Sequence, residues 1–222
     1  MLRNQLTCTF IFLIGCTFLC GQDDEKLTSG PKAGVDVPAP FACLNVNGPS
    51  KGRPSCLVCR FALSPAVLIF AKEPVEGKDA AFNELLKQLD EAATDFDFRN
   101  FSVGVVILSP DARDSTNNVG EKDPKKLIEE TVNREKLVER LKKRAEPLKN
   151  VNNVIIACHP PEGPKKYELN PKAEATILFY ERYKITETWA FAPEALKEED
   201  VKNIVKKVRE ALPLRKKKTE EK

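Results

Sequence analysis

The stretch "SPAVLIFAKEPVEGKDAAFNELLKQLDEAATDFDFRNFSVGVVILS", Ser64 to Ser109, decides how this chain folds. It is bounded by two apolar runs, "AVLIFA" at 66–71 and "SVGVVILS" at 102–109. A strand with one wet face alternates apolar and polar residues, so an unbroken run signals a strand covered on both faces, as in a parallel sheet. Between the runs, Phe82, Leu85, Leu86 and Leu89 recur at helical spacing, with Asp79 standing where an N-cap is expected.

The pattern continues outward in both directions. Downstream, a polar loop leads to a helix with Pro124 in its first turn and Leu127, Ile128, Val132, Leu137, Val138 and Leu141 on one stripe. "NVIIAC" at 153–158 reads as a third strand. After the Pro-rich "HPPEGPKKYELNP" come "EATILFY" and "KITETWAFA", separated by Glu181, Arg182 and Tyr183, which suggests a hairpin. A last amphipathic helix near 197–211 carries Val201, Ile204, Val205 and Val208. Upstream, "PFACLNV" reads as a short strand and residues 22–40, rich in Asp, Lys, Gly and Pro, as a linker. The expectation is an α/β fold with a four- or five-stranded mixed central sheet flanked by helices.

At 222 residues and 41% hydrophobic content the chain can bury one good core, and its length favours a single domain. Residues 1–21 place Arg3 ahead of an apolar stretch from Leu6 to Leu19, the pattern of a signal peptide. That stretch is short for a membrane span, and no later segment approaches one, so no transmembrane span is expected in the mature chain. Leu13-Ile14-Gly15-Cys16 resembles a lipobox, which would put a lipid anchor on Cys16; ordinary cleavage near Gly21 is the alternative. The expected location is periplasmic or extracellular. With 36 basic and 33 acidic residues the charge is nearly balanced, and the tail at 213–222 reads as a solvated end, so nucleic acid is not an expected partner. No phosphate-cradling glycine loop, serine-histidine-acid constellation or spaced carboxylate pair is present, which disfavours a hydrolase or nucleotide-dependent enzyme.

The order of elements resembles the thioredoxin-like fold in its redoxin form, as in peroxiredoxins and secreted thiol-disulfide interchange proteins. Gly34, Pro38 and Phe41 of "GVDVPAPF" are similar to the opening of that family, and the thioredoxin-like domain spans 41–212. The family's reactive cysteines follow the first core strand directly. Here that slot reads Phe70-Ala71-Lys72-Glu73-Pro74-Val75, without cysteine, and the position of the family's cis-proline falls near Ala175. Catalysis from the usual position is therefore not expected.

The chemistry is left to Cys56 and Cys59, a Cys-x-x-Cys pair displaced ahead of the first core strand. If the leader is removed beyond Cys20, they remain with Cys43 and Cys158. Outside the cytoplasm such thiols pair, bind metal or react. Cys56 and Cys59 are the candidate catalytic residues of a thiol-disulfide exchange with thiol- or disulfide-bearing partner proteins, their thiolates favoured by the flanking Arg53 and Arg60. Two alternatives stand beside this. One is a non-catalytic interaction module in which the cysteines are structural, with Cys43 pairing to Cys56 or Cys59. The other is a copper or zinc carrier that recruits His159, the chain's only histidine. The carrier requires Cys56 and Cys59 to lie near His159, whereas residues that precede one parallel strand and residues that end another are expected at opposite ends of the sheet. No cofactor or metal is expected, Cys158 reads as a small buried residue and Trp189 as core.

Overall fold

The structure is a computed structural model that describes residues 27–115 and 123–212. The segment read as a signal peptide, with Cys16, and the charged tail at 213–222 lie outside the described residues. The elements are β1 (Cys43–Asn45), β2 (Pro54–Ser55), α1 (Leu57–Phe61), β3 (Ala66–Lys72), α2 (Ala80–Asp95), β4 (Ser102–Leu108), α3 (Pro124–Ala145), β5 (Val154–His159), β6 (Ala175–Glu181), β7 (Lys184–Phe191) and α4 (Glu198–Ala211).

The five strands expected in the central sheet form, the short strand read in "PFACLNV" joins them as β1, and β2 completes a seven-stranded sheet, wider than the four or five expected, of order β2-β1-β5-β4-β3-β6-β7. β4 is the middle strand, and β3 beside it is parallel to β4 and antiparallel to β6. The β3 residues Ala66 to Ala71 are all buried, as the unbroken apolar run requires. β6 turns into β7 through Arg182 and Tyr183, both at positive φ (52° and 60°), the conformation of a two-residue hairpin turn. Residues Gly34, Val35 and Val37, in the segment with linker composition, hydrogen-bond to the start of β7 and its turn.

The sheet separates two cores. On one face Leu85 and Leu89 of α2, Leu137 and Leu141 of α3, and Ile204 and Val208 of α4 pack on Val67, Ile69, Val103 and Val105. On the other, Leu57, Val58 and Phe61 of α1 pack with Leu68, Phe70, Tyr167 and Tyr180. Each large apolar side chain so buried contributes roughly 1.5–3 kcal/mol.

Two helical readings need correction. The stripe of α3 is buried only in its second half: Leu137 and Leu141 are covered, while Ile128 and Val132 are 64% and 40% exposed. Asp79 precedes α2 but makes no capping bond; its carboxylate instead holds Arg144 of α3 at 2.8 Å.

Candidate functional site: a disulfide at the carboxyl edge of the sheet

The chain reverses twice before β3. β1 is antiparallel to β5, and the turn from Val46 to Arg53, with Gly48 and Gly52 at positive φ, sends β2 back parallel to β5. Pro54, Leu44, Cys158, Ile107, Ala71, Ala175 and Phe191 form one row across all seven strands. Cys56, one residue past β2, thus shares the carboxyl edge with His159, Ser109 and Glu73. The expectation that Cys56 and Cys59 lie at the opposite end from His159 is overturned. Neither β2 nor α1 carries a sequence signal long enough to read, and together they return the chain over the sheet. β2 and β5 are still two strand spacings apart, about 10 Å, and β2 and β3 four, about 19 Å.

Cys56 and Cys59 are bonded to each other, with their Cα atoms 5.3 Å apart. Cys56 is the N-cap of α1, and its Sγ accepts the N–H of Cys59 at 3.0 Å. The short helix is fixed by Leu57, Val58 and Phe61, all buried. Gly104 of β4 lets it approach: a Cβ there would stand 3.0 Å from both Leu57 Cδ1 and Phe61 Cε2. With these three residues facing the sheet, Cys59 is left exposed and Cys56 half-buried.

Cys43 and Cys158 are free and buried. The Cys43 thiol donates to Ser55 O at 3.4 Å. Burial pushes it up to about 12, with Cys158 adding in the same direction and a hydrogen bond from Leu57 N–H opposing. Burial likewise raises Cys158 to about 11, against the charge of Arg134. Cys43 lies in the α1 core and Cys158 in the opposite one, so the two do not meet. Cys43 does not pair with Cys56 or Cys59, because those two are closed on each other. His159 ends β5 half-buried, with Nδ1 3.0 Å from Pro160 O and its ring edge-on to Phe41. Among the described residues, no group of three His, Cys, Asp or Glu side chains is placed to hold a metal ion.

The slot after β3 holds an ionic lock, which the sequence reading missed. Arg140 of α3 grips Glu73 through Nε at 2.6 Å and Nη2 at 3.0 Å, and reaches Asp111 at 2.9 Å. Buried Ser109 also donates to Glu73, at 3.4 Å. Against the burial that pushes it up, Arg144 and Asn83 hold the Asp79 carboxyl below the usual carboxylate range. A groove of about 1110 Å³ opens beside the lock between α2 and α3, lined in part by Glu73, Val75, Asn83, Lys87 and Arg144. It does not reach the disulfide. Ala175 stands opposite Ala71 at the position expected for a cis-proline. The one signal that could have revealed the lock is the arginine pair Arg140 and Arg144, four residues apart on one helix face.

No family model matches the chain, and no curated protein matches its sequence. Solved structures do match its fold. A chain assigned as a thiol:disulfide interchange protein DsbE from Chlorobium tepidum is 14% identical, with a TM-score of 0.50 over 82% of this chain and 100% of that one. A chain assigned as a protein disulfide isomerase from Bacteroides thetaiotaomicron is 15% identical, with a TM-score of 0.52 over 84% of this chain and 94% of that one. The fold is thioredoxin-like, of the redoxin type.

Proposed function

We propose that the protein is a thiol-disulfide exchanger working through Cys56 and Cys59 outside the cytoplasm. The observation that carries the reading is the Cys56–Cys59 disulfide with Cys59 exposed and Cys56 half-buried beneath a donated N–H. The names of the two fold neighbours, both of disulfide chemistry, support it, and the leader-like residues 1–21 support export.

The exposure difference gives the exchange a direction. A partner thiolate attacks Cys59 Sγ, forming a mixed disulfide and breaking the Cys56–Cys59 bond. The electron pair leaves on Cys56 Sγ as a thiolate, already aligned with the Cys59 N–H, and a proton is taken up from water. A second partner thiolate then displaces Cys59, so that the partner pair leaves oxidised and Cys56 and Cys59 reduced. Run in reverse, Cys59 attacks a partner disulfide and Cys56 resolves it. Cys56→Ser should therefore trap a mixed disulfide on Cys59, visible by non-reducing electrophoresis and mass spectrometry, whereas Cys59→Ser should trap none. Trapping by Cys59→Ser alone would reverse the roles, and trapping by neither would remove the exchange.

The missing cysteine in the usual slot favours a second reading, an interaction module whose disulfide is a staple. A reduction potential separates the two: a staple lies below about −300 mV and an exchanging pair above it.

A further inference from the structure

The surface around the disulfide carries positive charge that the fold does not use. Between Asp36 and Glu73 the chain contains no acidic residue, yet Lys51, Arg53 and Arg60 flank Cys56 and Cys59. All three are exposed. Arg53 lies at the foot of β2, its N–H bonded to Ser50 O and its carbonyl to Asn45 N–H, and Lys51 sits in the same turn. Arg60 follows Cys59, and its N–H bonds to Cys56 O one helical turn back. The side chains of Lys51, Arg53 and Arg60 hold no ion pair or hydrogen bond among the described residues. Six of the seven other described arginines are used differently: Arg99, Arg113, Arg134, Arg140, Arg144 and Arg209 each hold a carboxylate, and only Arg182, in the β6–β7 turn, does not. Unneutralised cations around a reactive bond raise the local concentration of anions and speed their encounter.

From this we propose that the Cys56–Cys59 disulfide selects protein partners whose cysteine is flanked by acidic residues. The inference rests on the exchange reading and adds its substrate class. Lys51, Arg53 and Arg60 act before the sulfur chemistry. They draw in an acidic thiolate, which carries both its own charge and that of its neighbours, and hold it over Cys59.

The test uses the oxidised full-length chain and three blocked tripeptides, Glu-Cys-Glu, Gln-Cys-Gln and Lys-Cys-Lys. Each rate is expressed per thiolate and divided by the rate of the same peptide with an uncharged reference disulfide, which removes differences in thiol acidity. At low salt the acidic peptide should react about tenfold faster than the basic one. The gap should shrink to about twofold in 1 M salt, where charges are screened within about 3 Å. The triple variant Lys51→Gln, Arg53→Gln, Arg60→Gln should lose the preference. Lys125→Gln, Lys136→Gln, Lys142→Gln on α3, with the same change in net charge, should keep it. Reaction of all three peptides at one corrected rate, or a preference that survives the first variant, overturns this inference while leaving exchange standing. Failure of even the neutral peptide to react overturns the exchange reading and this inference with it.

Discussion

Two of the four described cysteines, Cys43 and Cys158, are thiols whose burial favours the protonated form in the folded state. The thiolate is the nucleophile, so neither should be alkylated by iodoacetamide at pH 8 until the protein unfolds. The same shifts set a pH window for stability. Folded values of about 12 and about 11 lie above the unfolded thiol range, so the folded state holds these protons longer than the unfolded one. Their contribution is complete below about pH 8.5 and is lost as pH rises through 11 and 12. Thermal stability should therefore fall above pH 9, with the denaturation midpoint moving to lower temperature. Cys43→Ala should remove up to one proton from that slope, about 1.4 kcal/mol per pH unit where the unfolded thiol is ionised and the folded one is not. A slope unchanged in Cys43→Ala would mean that Cys43 is not held protonated by the fold. Chemically identical residues are thus divided by placement, and the spacing of Cys56 and Cys59 showed only part of that division. It made their bond readable; which sulfur faces solvent depends on Leu57, Val58 and Phe61 anchoring α1.

At the scale of elements, α1 is the support of the disulfide and β4 is the support of α1. Gly104→Ala would push a methyl into Leu57, Phe61 and Leu68 at 3.0–3.1 Å. Overpacking of this kind costs about 1–3 kcal/mol. Denaturant titration should report that loss, and amide exchange should rise in residues 57–61 before it rises in β3. The slot loop is a separate unit, tied to α3 by Arg140. Glu73→Gln should cost about 1 kcal/mol, since the Arg140 side chain is 46% exposed and solvent screens the pair. The rate of Cys56–Cys59 reduction should not change, because three strands separate β2 from β3. A reduction rate that falls with the fold intact would return the chemistry to the usual slot. The long elements were legible because each carries its own period: unbroken runs for β3, β4 and β5, and a helical stripe for α2 and α4. β2 and α1 were not, since two and five residues hold no period. α3 was legible as a helix but not in its burial, because a stripe says where a partner would pack and not whether one is there.

At the scale of the molecule, the topology was readable and the geometry of its edge was not. Counting elements gave the sheet and its helices, but the direction of a hairpin of two- and three-residue strands decides whether Cys56 falls with His159 or away from it, and that direction is set by a tight turn with two positive-φ glycines. The row from Pro54 to Phe191 gives the protein a front, and along it the disulfide is at one corner while the ionic lock is near the middle. A guest seated over Cys59 is therefore seated off-centre, resting on β2 and α1, with the midline of the front uncovered. The leverage of such a seat is unequal: tilting the guest strains the small hairpin and its glycines long before it disturbs the strands that hold the fold together.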